Sequence, residues 1–466
     1  TLIEQKPLYT QIPVGQEVIF VISNSTILSN PVFTNFRFIA DVYISDTIPT
    51  SISSTSTPTA TFKTAPNNAA VGIFDFKQVV ENYVSADNMA YNQSKYKTIV
   101  TSDDTPHPVH LIDKYSRNKK AARWLTIQFK TQYFDTQFNE TEVVEENNSI
   151  DYQIFNGYLT YSDILTMGTA PNANDFGFDL SNYNLSAQTD SFLTNAPATQ
   201  YANLEDYGTL AFLSPNDNLD YIKLTYNDSS GSQIGTENIN KNWTNGAYTN
   251  FTTKISEKLL YFGCFPANLQ NWSGTFQALV SAGTIQGGSI VVQAFSFSVT
   301  VGISKAYTIN VNCPNLKGFE SIRLCWLNQW GAWDYYTFTQ KSVRSISTKG
   351  STYEQLAGTW NEAAYRVDSY KGGKKAFRVN ATEKITMNSD FVSESENDMF
   401  EELINSPEVY ILEGYQDDGT NSALNQYVKP VRLTTSSFTK KTVANDKLIQ
   451  YTFEVEKSKT LRTQSV

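Results

Sequence analysis

Residues 325–338 read CWLNQWGAWDYYTF, and six of the fourteen are aromatic: Trp326, Trp330, Trp333, Tyr335, Tyr336 and Phe338. Alternate side chains of a strand face opposite ways. Ile322, Leu324 and Trp326 then share one face, while Arg323, Cys325 and Leu327 share the other. Apolar residues on both faces fit a strand buried between two layers. The chain continues as NQWGAW, where Gly331 admits a positive φ, and DYYTF (334–338) returns as a partner strand. Each fully buried ring contributes roughly 1.5–3 kcal/mol. Three readings of Trp330, Trp333, Tyr335 and Tyr336 stay open: core, protein–protein interface, or a sugar platform with Asn328, Gln329 and Asp334 as its polar contacts. Strand alternation favours the core.

The rest of the chain extends this β reading. At 466 residues it exceeds the size of one hydrophobic core, so several domains are expected. Hydrophobic residues make up 40% and charged residues 18%, a folded rather than disordered profile. Tyr (27) and Phe (28) are abundant and Met (4) is scarce, which favours pleated, half-buried surfaces. The net charge of −10 argues against a nucleic-acid partner, which would call for a basic face. The short run RNKK (117–120) reads as a solvated turn. There are three cysteines, Cys264, Cys313 and Cys325, beside apolar residues; they read as small buried hydrophobes rather than a disulfide framework. No run of 18 apolar residues occurs, so no membrane span is expected. The opening TLIEQKPLYT lacks a signal-peptide pattern. Cytosolic synthesis with loss of an initiator Met is the expectation.

Residues 17–23 (EVIFVIS) and 35–45 (NFRFIADVYIS) read as an antiparallel strand pair, followed by a Ser/Thr/Pro-rich loop over 46–70. Residues 75–86 change to helical spacing, with Asp75 as N-cap. Strands resume at 124–133 and 154–161. Residues 165–215 are weakly patterned. Further strands are 221–226, 288–302, 306–312 and 321–327, with hairpin turns at NDSSGSQIG and Asn245-Gly246. Ser395 with Asp398 marks the start of a second helix near 396–405, striped by Met399, Phe400, Leu403 and Ile404 and stopped by Pro407. Strands at 409–412, 431–434 and 448–455 flank it. The expected fold is mainly β: antiparallel sandwich-like domains with a few short helices. The division is an N-terminal sandwich-like domain (1–165) with a helical insertion, a central β domain (166–318) and a C-terminal α+β domain (319–466).

Catalytic signals are weak. The two histidines, His107 and His110, lie in TPHPVHL near Asp103 and Asp104, and prolines break any helix that would align the rings on a metal. No nucleophile elbow, P-loop or dinucleotide fingerprint occurs. Asp417 with Asp418 and Glu401 with Glu402 are adjacent pairs that read as solvated surface rather than facing acid and base. Asp217, Asn218 and Asp220 lack the spacing of a calcium loop. No catalytic residue, cofactor or metal is assigned, and the chain reads as a non-enzyme.

A resemblance adds to this reading. The segments YIKLTYNDSSGSQIG (221–235), LLYFGCFPANLQ (259–270), YTINVNC (307–313) and SIRLCWLNQWGAWDYYTF (321–338) resemble structural proteins of tailed bacteriophages. So do GIFDFKQVVENYV (72–84), MFEELINSPEVYIL (399–412), KPVRLTTSSFTKKT (429–442) and KLIQYTFEVEKS (447–458). The likeness covers about half the chain and is one of pattern rather than of a catalytic signature. It implies sandwich domains, a place in the virion as a tail, baseplate or fibre-attachment component, and other copies and neighbouring virion proteins as partners. Receptor-binding or capsid-decorating proteins are variants of that class. A carbohydrate-binding or glycan-degrading module using Trp330 and Trp333 on a host-surface glycan is the alternative.

Overall fold

A computed structural model of the chain describes residues 2–48, 52, 56–85, 114–116, 120–160, 179–216, 218–241, 258–313, 318–413, 428–442, 448–459 and 461–465. The fold is mainly β, with several largely antiparallel sheets and, among the described residues, five short helices. The chain divides into two units: residues 1–313 with 327–334 and 415–425, and residues 314–326 with 335–414 and 426–466.

In the first unit, Phe33–Ser45 and Ala122–Asp135 form the long central pair of a six-stranded sheet. Their alternation places Phe38, Ala40 and Val42 in the core with Leu125, Ile127 and Phe129, Ala40 opposite Phe129 and Val42 opposite Ile127. Ile19–Ser23 joins a different, three-stranded sheet, between Leu2–Gln5 and Val71–Asp75. The expected pairing of 17–23 with 35–45 is therefore wrong. A one-turn helix, Ser25–Leu28, capped by the Asn24 side chain, carries the chain from one sheet to the other. Phe20, Phe74, Phe76, Phe129 and Tyr152 interlock where these two sheets share a core. The helix expected over 75–86 is shorter, Lys77–Glu81. Asp75 ends the preceding strand, and its Oδ1 accepts from the Lys77 and Val18 amides.

A second core of the same unit gathers around a five-stranded sheet built on Tyr221–Asn227, Ser289–Phe295 and Tyr307–Val311. Tyr115 enters it from the N-terminal half: its hydroxyl donates to the Ile239 carbonyl and accepts from the Ile222 amide. The weakly patterned stretch 165–215 contains two strands that alternation does not reveal, Thr199–Ala202 and Thr209–Leu213. The second, TLAFL, is buried throughout and so has no polar face to alternate with. Thr199–Ala202 pairs in parallel with Tyr307–Val311, one of two parallel strand-to-strand pairings among the described residues, beside an isolated parallel bridge between Asn184 and Leu213. Two short helices, Pro266–Trp272 and Gly274–Ser281, meet at Ser273, which caps the second helix through the Phe276 amide.

Among the described residues, the second unit is built on an eight-stranded sheet with one α-helix, Asn397–Asn405. Ile449, Tyr451, Phe453 and Val455 are buried while Gln450, Thr452, Glu454 and Glu456 are not, as their alternation requires. Phe400 of the helix packs against Phe453, Tyr451 and Tyr336. The cap lies two residues earlier than expected. Ser393 and Glu396 form the capping box on a 3-10 turn that leads into the helix, because a glutamate three residues on can reach back to the Ser393 amide.

Candidate functional site

The aromatic segment forms the predicted hairpin, with strands Ile322–Leu327 and Trp333–Phe338 adjacent in one sheet. The turn is organised by one side chain. Asn328 Oδ1 accepts from the Trp330 and Ala332 amides, both at 3.0 Å, while its Nδ2 donates to the Leu193 carbonyl. Gly331 has φ 73°, and a Cβ there would stand 1.8 Å from the Asn156 carbonyl oxygen. Tyr261 donates its hydroxyl to the Gly331 carbonyl, and the Tyr158 amide donates to that of Gln329. Residues 327–334 thus group with the first unit, while residues 322–326 and 335–338 of the two strands group with the second.

The rings are covered by their own chain. Trp330 is 2% exposed; its ring lies 4.3 Å from that of Tyr183, and its Nε1 donates to Asn195. Trp333 is 3% exposed. Tyr335 is buried beneath the Arg323 guanidinium, which donates to Thr337. Tyr336 is half-buried against Phe338 and Phe400, and burial pushes its hydroxyl pKa up. Asp334 accepts from Thr194 and, like Asn328, is buried, so two of the three polar side chains named for a sugar platform are engaged within the fold.

The other sequence candidates separate in the same way. His107, His110, Asp103, Asp104, Asp217, Asp417 and Asp418 lie outside the described residues. Asp220 Oδ2 accepts from Ser296 Oγ and the Phe297 amide, which fixes a turn. Glu401 pairs with Lys440 at the surface, whereas Glu402 is buried, contrary to the expected solvated pair. Cys264 and Cys325 are buried as expected, and burial raises the Cys325 thiol pKa; Cys313 is exposed. Among the described residues no three His, Cys, Asp or Glu side chains gather as a metal site, and no helix is long and apolar enough to cross a membrane. A cleft of about 230 Å³ between 437–441 and 450–453 is lined by Phe438, Lys441 and Tyr451, and Lys441 Nζ is held by the Gln450 carbonyl.

The feature that sequence reasoning missed is a second hairpin. Val343–Gln355 pairs with Gly373–Asn388 over thirteen registered positions. Val343–Gln355 is an edge strand of the sheet, and every residue from 343 to 352 is exposed. We call residues 343–388 the arm. Its root is clamped by charge. Glu383 accepts from Arg344 at 2.6 Å and Lys457 at 2.7 Å, and Arg344 also pairs with Glu320. Lys457 and Arg344 hold the Glu383 carboxyl below its usual pKa.

The tip is ordered by backbone bonds rather than by a core. The Thr359 amide donates to the Arg366 carbonyl, and the Asp368 amide to that of Ala357. Gly372 and Gly373, with φ 89° and 73°, turn the chain into the return strand. On this frame stand Leu356, Trp360, Tyr365, Val367 and Tyr370, all exposed, Trp360 at 82%. The signal was faint because VRSISTKGSTYEQ has no apolar face; only its β-branched and hydroxyl residues mark it as a strand.

No protein-family model and no curated protein sequence matches the chain.

Proposed function

We propose that this chain is a non-enzymatic structural component of a tailed-phage virion, in the tail or baseplate region, where it joins copies of itself and neighbouring virion proteins into a symmetric multimer. The arm carries this reading. Thr452–Lys457 and Arg462–Ser465 pair with the return strand at 384–388 and 378–381, but the outer part of the arm is a two-stranded ribbon largely exposed on both faces. Such a ribbon is marginal in isolation, and a chain gains little stability from holding Trp360, Tyr365 and Tyr370 in solvent. Exposed apolar clusters of this kind mark interaction sites, and aromatic residues are enriched at interface centres. The segment likeness to tailed-phage structural proteins supplies the class of assembly. The carbohydrate alternative loses its platform, since the ring faces of Trp330 and Trp333 are covered within the fold.

Mass spectrometry of purified virions, with light scattering of the isolated chain, tests the proposal. The expected result is a stoichiometric virion protein that forms discrete multimers. A chain absent from virions would overturn it.

A further inference from the structure

We infer that the arm of one copy docks on the acidic edge strand Glu140–Asn148 of a second copy, a head-to-tail contact. The inference rests on the assembly reading above and names its surfaces. Three observations meet.

The first is charge. The arm, residues 343–388, holds eight Lys and Arg against four Asp and Glu, a net +4 in a chain of net −10, so the remainder carries −14. An arm-to-arm contact would bring like charges together, whereas an arm-to-body contact joins opposite ones. On the arm, Lys349, Lys374, Lys375 and Arg378 are matched with no carboxylate among the described residues; Lys375 bonds the Tyr370 carbonyl and Arg378 bonds Asn380.

The second is the acceptor. Residues 135–151 contain six Asp and Glu and no Lys or Arg. Their strand, Glu140–Asn148, pairs on one side with Ala122–Asp135 and on the other with no strand among the described residues. An open acidic edge offers backbone donors and acceptors beside negative charge.

The third is apolar complement. Phe138, 67% exposed at the turn into the acidic strand, and Val143 within it present apolar surface on the segment that carries Glu140 and Glu142. The arm likewise sets Ile346, Phe377 and Trp360 beside its cations and offers its own open edge, Val343–Gln355. Two open edges of opposite charge can extend one ladder, with main-chain bonds for affinity and side chains for register. The two surfaces differ, so the contact is heterologous and closes into a ring or runs on as a filament.

A charge exchange in the full chain tests this by sedimentation velocity. Lys349→Glu with Lys374→Glu and Lys375→Glu should weaken self-association about tenfold or more, as should Glu140→Lys with Glu142→Lys. Combining all five in one chain should restore it, which an arm-to-arm contact could not do. Assembly that survives the arm changes, or is not restored by the combination, overturns the inference. A photocrosslinker at Trp360, in mixed isotopically labelled and unlabelled copies, serves if a charge variant misfolds. A crosslink from one copy to residues 135–151 of another supports the contact; one to a different protein or to a glycan overturns it. A virion protein that stays monomeric with its arm intact would sink this inference but not the virion reading. Arm-dependent multimers absent from virions would do the reverse.

Discussion

Gly331 shows how closely one residue can be constrained. Its φ of 73° is open to other residues at some cost, but the 1.8 Å approach of a Cβ to the Asn156 carbonyl is not. Gly331→Ala is expected to cost about 2 kcal/mol or more in chemical denaturation. Gly231 is the control, with φ 85° and nothing within 4 Å of a Cβ. Gly231→Ala should cost only about 1 kcal/mol, the left-handed penalty alone. The tryptophans divide by the same logic. Trp330→Ala removes a buried ring and an indole bond to Asn195 and should cost about 3–5 kcal/mol. Trp360→Ala should lie within about 0.5 kcal/mol of the parent, because its ring already stands in water. The presence of Gly331 in a turn was legible in the sequence. The carbonyl that makes it obligatory comes from 175 residues away in the chain, and no local pattern encodes it.

At the scale of the element, the arm is separable from the sheet that carries it. Replacing residues 351–378 with Asn-Gly joins Gly350 to Val379, which already face each other in register. The shortened chain is expected to keep its thermal midpoint within a few degrees, read by circular dichroism, and to lose its multimers. The root of the arm is pH-sensitive. The Glu383 carboxyl is held below its ordinary value by Lys457 and Arg344. A lowered folded pKa contributes stability that is fully present above the unfolded value, roughly 4.3, and lost as pH falls through the folded one. Denaturation between pH 7 and pH 3 should therefore show a loss of stability in acid that Glu383→Gln flattens. Elements with one wet and one dry face, such as 449–455, were legible from alternation. TLAFL, dry on both faces, and the arm strand, wet on both, were not, because alternation needs a difference between faces.

At the scale of the whole molecule, composition and assembly are linked by charge. A contact between a +4 arm and a −14 remainder weakens with ionic strength, as the screening length falls from about 10 Å at 0.1 M salt to about 3 Å at 1 M. Multimers should dissociate between these limits in sedimentation experiments. Multimers that tighten with salt would point to an apolar contact instead. The aromatic content that gave CWLNQWGAWDYYTF the look of a platform has two destinations: Trp326, Trp330 and Trp333 go into packing, and Trp360, Tyr365 and Tyr370 go to the surface.

The sequence by itself determined that the protein is mainly β, which faces of its alternating strands are dry, and that residues 322–338 turn back on themselves through a glycine. These are local properties, set by side-chain period and backbone freedom. Only the tertiary structure decided that Ile19–Ser23 and Phe33–Ser45 join different sheets, that residues 327–334 group with the first unit, and which aromatic residues meet solvent. Sheet partners and burial depend on contacts between residues far apart in the chain, and a ring carries no mark in the sequence of whether another layer will cover it.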